Sequence, residues 1–264
     1  MCRTGSGALI DPRAVVDPGA HLGEGVVVGP FAVIGPQVEI GAGTTIGPHA
    51  VINGPTRIGR DNHIHAFASL GDAPQDKKYR GEFTELVIGD GNTIREYVTI
   101  SRGTTQGGGV TRLGDDNWVM AYVHIAHDCV VGNHTIFANA ASLAGHVTVG
   151  DWVILGGFTL VHQFCMLGAH CFTAMGSVIS QDVPPYVLVS GHMARPRGLN
   201  TEGLKRRGFT PEALRQLRQA YKVLYRSGFT LEQALQQLRE MIPGCPEIGL
   251  LVEGVEQSSR GIIR

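Results

Sequence analysis

From Leu113 onward an aliphatic or aromatic residue returns at every sixth position: Val119, Ile125, Val131, Phe137, Leu143, Val149, Leu155, Val161 and Leu167, with one lapse at Thr173 before Ile179. Four residues after each stands something small or β-branched, among them Val123, Cys129, Thr135, Ala141, Val147 and Cys165. A helix repeats at about 3.6 residues and a flat strand at about 2, so a strict period of six fits neither alone. It fits a solenoid in which a short strand and a turn use six residues and three such sides close a coil of eighteen.

The same period occupies the earlier chain from Ile10 to Leu70, and the residue that follows is often glycine, as at Gly23, Gly29, Gly41 and Gly47. Glycine there is expected to supply a turn conformation that other residues resist. Charged residues at 76–87 interrupt the hexads, which resume in the old register at Ile88, Ile94 and Ile100. A second break at 106–112 shifts the phase by one. Both are expected to be loops thrown out from coil corners, where an insertion leaves the core undisturbed. Asp76, Lys77, Lys78, Tyr79 and Arg80 make the first a candidate substrate arm, with a merely solvated loop as the alternative. The 26 hexads amount to nearly nine coils, a prism roughly 40 Å long at one strand spacing per coil.

Residues eighteen apart should lie on one corner of successive coils, roughly 4.8 Å from each other. His127, Gly145 and Gln163 form one such column, and Asp128, His146 and Phe164 its neighbour. Two histidines, a carboxylate, a glycine and an amide thus converge on one edge of an apolar prism, which is the candidate active site.

The hexads end at Gln181-Asp-Val-Pro-Pro-Tyr186, where adjacent prolines cannot continue a ladder. We therefore divide the chain into a β-solenoid over 1–190 and a helical domain over 191–264 that covers the open end of the prism. Thr210-Pro211-Glu212 reads as N-cap, first-turn proline and first-turn acid. The apolar stripe behind it is Leu214, Leu217, Tyr221, Leu224 and Tyr225; Thr230 caps a second helix, and a third follows Pro246. Between Lys205 and Arg226 seven basic residues face one acid, Glu212. That face either solvates the helices or docks an acidic partner or a phosphate.

A formal charge of −1 argues against general nucleic-acid binding. No apolar run reaches the length of a membrane span, and the opening Met1-Cys-Arg-Thr-Gly-Ser-Gly has no apolar signal region, which predicts a cytoplasmic protein. Of five cysteines, Cys129, Cys165 and Cys171 fall on the small inward position of a hexad and read as core filler. Cys2 and Cys245 lie outside the pattern.

The hexads resemble those of the left-handed parallel β-helix acyltransferases, the hexapeptide-repeat family, and the left hand is implied by that resemblance alone. His124-Ile-Ala-His127-Asp128, Leu143-Ala-Gly-His146-Val, Val161-His162-Gln163-Phe164, Gln181-Asp-Val-Pro-Pro-Tyr186 and Glu202-Gly-Leu-Lys-Arg-Arg-Gly-Phe209 resemble the UDP-N-acetylglucosamine acyltransferases in particular. The likeness covers nearly the whole chain, to Arg260-Gly-Ile-Ile-Arg264. It implies transfer of a 3-hydroxyacyl group from acyl carrier protein to the 3-hydroxyl of UDP-N-acetylglucosamine, the first step of lipid A synthesis in the Gram-negative cytoplasm. It also implies a homotrimer with active sites between neighbouring prisms, and no cofactor or metal. By motif position His127 would be the general base, oriented by Asp128, with the Gly145 N–H facing the oxyanion. His124, His146, Gln163, Asp76 and Lys78 would surround the sugar and acyl groups, with His162 nearby. Asn200, Glu202, Arg206 and Arg207 would hold the nucleotide.

That chemistry is coherent on its own terms. A sugar hydroxyl attacking a thioester needs a base poised near neutrality, which imidazole provides. A carboxylate fixes its tautomer, and a preorganised N–H stabilises the tetrahedral oxygen. Two positions depart from the family. Ser101 stands where a histidine is usual in the family; if that histidine binds substrate, serine weakens or rearranges the contact. In the family the position of Met175 lies near the floor of the acyl pocket, where glycine admits a longer chain, so the resemblance implies a shorter acyl group here, such as 3-hydroxydecanoyl. Three alternatives stand beside this reading. One is a zinc enzyme of the γ-carbonic anhydrase type using His124, His127 and His146. The second is the N-acyltransferase acting later in the same pathway, and the third a structural scaffold.

Overall fold

The computed structural model describes residues 2–3 and 7–264. Its strands fall into three sheets, with one short strand from every coil contributed to each. In the central region the first face holds Trp118–Val119, Ile136–Phe137, Ile154–Leu155 and Phe172–Thr173. The second holds His124–Ile125, Ser142–Leu143, Leu160–Val161 and Val178–Ile179. The third holds Val130–Val131, Thr148–Val149 and Met166–Leu167. Pairing is parallel and joins residues eighteen apart, as in Val15 with Val33 and Trp118 with Ile136. The repeating apolar residues point inward: Ile125, Cys129, Leu143, Val147 and Leu155 are fully buried in a continuous core. A buried polar ladder runs beside them. Asn62 Oδ1 accepts from the Asn92 N–H and side-chain amide, Asn92 Oδ1 from the Asn117 N–H, and Asn117 Oδ1 from the Thr135 hydroxyl at 2.6 Å.

Gly71, at φ 75°, takes the turn conformation expected of the hexad glycines, but most of the others serve a different purpose. Gly23, Gly29, Gly41 and Gly47 do not adopt positive φ. A Cβ at Gly23 or Gly47 would instead meet the backbone of the next coil at 2.7 and 2.8 Å. Close coil stacking, not turn geometry, excludes a side chain there. The left-handed corner comes later in the hexad and is often not glycine, as at Asp128, His146 and Phe164, with φ of 60°, 62° and 64°.

Both insertions are displaced from the expected bounds. His63 pairs with Thr93 and Thr93 with Trp118, so the coils at these points take thirty and twenty-five residues. Glu85, Leu86 and Val87, which the charged composition had placed in the first loop, belong to a strand paired on both sides. Val110–Leu113 is likewise a strand, so the second loop ends at Gly109. In these strands it is burial that alternates, with Leu86 and Ile88 inward in the first and Thr111 and Leu113 inward in the second, so a four-residue strand needs no new hexad.

Past the prolines, Val187–Gly191 and Ala194–Leu199 form an antiparallel hairpin on the end of the first face. The helices start only at Thr201: α1 (Thr201–Arg206), α2 (Pro211–Arg226), α3 (Leu231–Met241) and α4 (Ile248–Glu256). Thr210 and Thr230 cap α2 and α3, the latter in a capping box with Gln233. Leu214, Leu217, Tyr221 and Leu224 are buried as the stripe predicts. Among the described residues no helix is long and apolar enough to cross a membrane.

Candidate active site

Three successive corners between the second and third faces build the site. Hydrogen bonds from His146 N–H to the His127 carbonyl (3.0 Å) and from Phe164 N–H to the Gly145 carbonyl (3.1 Å) hold the corners in register. The predicted columns form. The His127 ring lies over Gly145, where a Cβ would come within 2.6 Å of Cε1, so only glycine leaves the imidazole its place. In the neighbouring column the His146 and Phe164 rings stack at 4.5 Å, and His146 meets His127 edge-on at 5.1 Å.

The Asp128 side chain is 1% exposed. Its Oδ1 accepts the Thr104 N–H at 2.7 Å, and its Oδ2 accepts the Thr104 hydroxyl at 2.6 Å. Oδ2 also lies 2.8 Å from His127 Nδ1, while His146 Nε2 stays 3.7 Å away. A carboxylate only accepts, so Nδ1 of His127 carries the hydrogen and Nε2 keeps its lone pair. Burial holds His146 below the usual imidazole range, the nearby carboxylate notwithstanding. Burial and the neighbouring His127 do the same to His124. Both are thus neutral hydrogen-bonding groups near pH 7.

A cavity of about 620 Å³ opens in front of these rings, lined by Gln75, Asp76, Lys77, Lys78, Gln106, His127, His146, Gln163 and Phe164. The first insertion therefore does reach the corner. Arg102 fastens it, bonding the Gly54 carbonyl with one guanidinium nitrogen and donating to the Tyr79 hydroxyl at 3.2 Å with the other. His124, His162 and Ser101 do not line this cavity. His124 instead pairs with the Thr99 hydroxyl at 2.7 Å, and His162 Nδ1 lies 3.1 Å from the Gln163 carbonyl. Gln75, Gln106 and Thr104 escaped the sequence reading because they sit on insertions, outside the six-residue period.

Asn200, Glu202, Arg206 and Arg207 come together elsewhere, at a second cavity of about 590 Å³ that also includes His134 and Trp152. It opens where the third face turns into the first. Asn200 caps α1 through Gly203 N–H and donates to the His170 carbonyl at 2.9 Å, so it organises this wall itself. Arg207 lies 5.2 Å over the Trp152 ring. Met175 occupies the remaining kind of corner, between the first and second faces, and is 79% exposed.

Metal-binding geometry brings together His127, Asp128 and His146 rather than the expected trio with His124. Both Asp128 oxygens already accept hydrogen bonds, and Nδ1 of His127 is committed to one of them. The arrangement is that of a carboxylate-oriented imidazole. Cys129, packed under this corner, is pushed up to about 12 by burial and is inert filler.

Comparison with known proteins gives a consistent picture. Residues 182–263 match the family described as UDP N-acetylglucosamine O-acyltransferase, domain 2. Residues 1–36, 37–72 and 111–143 match the bacterial transferase hexapeptide repeats. A relative from Alkalilimnicola ehrlichii is 60% identical over 255 residues, covering 97% of this chain and 99% of the relative. One from Janthinobacterium sp. is 59% identical over 261 residues, covering 97% and 100%. Both are named acyl-[acyl-carrier-protein]–UDP-N-acetylglucosamine O-acyltransferase. The solved structure of Francisella novicida UDP-N-acetylglucosamine acyltransferase superposes with a TM-score of 0.95 at 43% identity, over 97% of this chain and 94% of that one.

Proposed function

The chain belongs to the UDP-N-acetylglucosamine O-acyltransferase family, a left-handed parallel β-helix with C-terminal helices, and on that premise we propose that it moves a 3-hydroxyacyl group from acyl carrier protein to the sugar 3-hydroxyl of UDP-N-acetylglucosamine. This is the opening step of lipid A synthesis, in the cytoplasm. The observation that carries the mechanism is His127, held over Gly145 by a buried Asp128, at the wall of a cavity shared with Asp76, Lys78 and Gln163.

In this reading Nε2 of His127 removes the proton of the sugar hydroxyl as its oxygen attacks the thioester carbonyl. The carbonyl oxygen takes the negative charge and faces the Gly145 N–H, which has no acceptor among the described residues. Collapse of the tetrahedral species expels the carrier thiolate, and the imidazolium returns the proton to it. Asp128 accepts from Nδ1 throughout, stabilising the cation that forms. No covalent enzyme intermediate is required. Neutral His146 and the Gln163 amide suit hydrogen bonding to the sugar, and Lys78 suits the anionic donor or nucleotide. The test is to incubate purified chain with UDP-N-acetylglucosamine and 3-hydroxyacyl carrier proteins and identify the product by mass. A 3-O-acyl ester is expected; no ester with any donor would return the zinc and scaffold readings.

The nucleotide residues Asn200, Glu202, Arg206 and Arg207 lie on a different corner from His127, which suits a substrate held between two prisms. A homotrimer, with each site completed by a neighbour, supplies that arrangement. Chains carrying His127→Ala or Arg206→Ala should each be poorly active alone. Refolded together, they should regain a substantial fraction of turnover, because some sites then combine two intact halves. Absence of any regain would place the whole site within one chain.

A further inference from the structure

The second insertion breaks the period that builds everything else, and its residues converge on one atom group. Thr104 sits in extended conformation (φ −121°, ψ 153°) before a short 3₁₀ turn at Thr105–Gly107. It is 4% exposed, packed against an Asp128 that is itself buried. We propose that Thr104 is a positioning residue for the His127–Asp128 pair, an inference that rests on the base assignment above.

The hydrogen positions follow from the partners. Gly107 N–H donates to Thr104 Oγ1 at 3.3 Å, so that hydroxyl must direct its own hydrogen to Asp128 Oδ2. Oδ1 is taken by the Thr104 N–H. Gly107 belongs to the same device, since a Cβ there would run into the Asp128 carboxylate. The carboxylate has a competing partner in His146 Nε2, 3.7 Å from Oδ2. Rotation toward it would release His127 Nδ1 and let the ring turn or change tautomer. Thr104 grips both carboxylate oxygens and blocks that rotation. In a buried site each such bond is strengthened by the others, and an incomplete network is unstable. The loop thus supplies the catalytic pair with an anchor that the coil itself does not contain.

The experiment is a double-mutant cycle with Thr104→Val, Thr104→Ser and Asp128→Asn. Valine keeps the shape and the extended backbone but removes the hydroxyl, and should lower kcat about 10- to 100-fold, the loss appropriate to a hydrogen bond to a charged group. The KM for each substrate should stay within about twofold, and serine should restore most of the rate. In an Asp128→Asn background, itself expected to lose at least about 10²-fold, Thr104→Val should cost little more, because the two act as a unit. Melting temperatures accompany every variant, and Thr104→Ala replaces valine if that protein does not fold. An unchanged kcat in the hydroxyl-free variants overturns the inference. So does an equal loss with and without the aspartate, which would make Thr104 independent of it. If Asp128→Asn alone keeps the parent kcat, the base assignment falls, and the anchor with it.

Discussion

Replacing His127 with alanine is expected to lower kcat by about 10²–10⁴-fold, the range for loss of a positioned general base. The expectation rests on the hydrogen inventory of the corner. Asp128 fixes Nδ1 as the donor, so Nε2 is left as an acceptor for the sugar hydroxyl. His146 is the neighbouring imidazole at the same cavity, meeting His127 edge-on. Its burial-lowered pKa makes it a weaker base, so it should not replace His127. The KM for UDP-N-acetylglucosamine should change far less than kcat, because the lost interaction is made as the proton moves. The fold should be unaffected: His127 lies on the outer side of the corner, and the core below it is closed by Ile125, Cys129 and Leu143. Steady-state kinetics with matched melting curves check this. A variant that keeps its kcat within about fivefold would move the base elsewhere, with His146→Ala the next substitution to make.

The corner was legible in advance because the period is rigid. Once eighteen residues make a coil, His127 must overlie Gly145 and Asp128 must lead to His146, whatever the side chains do. The same rule predicted the inward cysteines and the apolar core. What it could not place lies outside the period. Thr104, Gln75 and Gln106 sit on insertions, whose path depends on side-chain contacts such as Arg102 with Tyr79 rather than on a repeat. Spacing puts Gly23 and Gly47 against the next coil, but composition alone does not separate a tight approach from a turn. The hairpin at 187–199 carries neither hexads nor a helical stripe, and Pro196 sits on its outer strand, so nothing in its pattern announced a strand pair. Asn200, Glu202, Arg206 and Arg207 were grouped by motif, and the fold keeps them together while setting them on another corner from the base.

Substituting glycine for Met175 should convert the enzyme from a short-chain to a long-chain acyl preference. The methionine stands 48 residues after His127, or two and two-thirds coils, which puts it roughly 13 Å farther along the axis at one strand spacing per coil. It projects from its corner with 79% of its surface free on the single chain. A large apolar side chain so exposed is suited to be covered, and a neighbouring prism with an acyl chain between the two would cover it. In that cleft the thioether would end the channel. A 3-hydroxymyristoyl group carries four more methylenes than 3-hydroxydecanoyl, each worth about 0.8 kcal/mol when buried. Shutting them out forfeits about 3 kcal/mol, on the order of 10²-fold in selectivity, and forcing them in adds strain. The parent chain should therefore favour the ten-carbon donor by about that factor in kcat/KM, Met175→Ala should narrow the gap, and Met175→Gly should reverse it. Met175 does not adopt positive φ, so glycine brings only an entropic cost of about 0.5–1 kcal/mol, well within what a long solenoid tolerates. Competition between the two donors in one reaction reads the ratio directly. Equal turnover of both by the parent chain, or a glycine variant with the parent's preference, would remove Met175 from any part in measuring the chain.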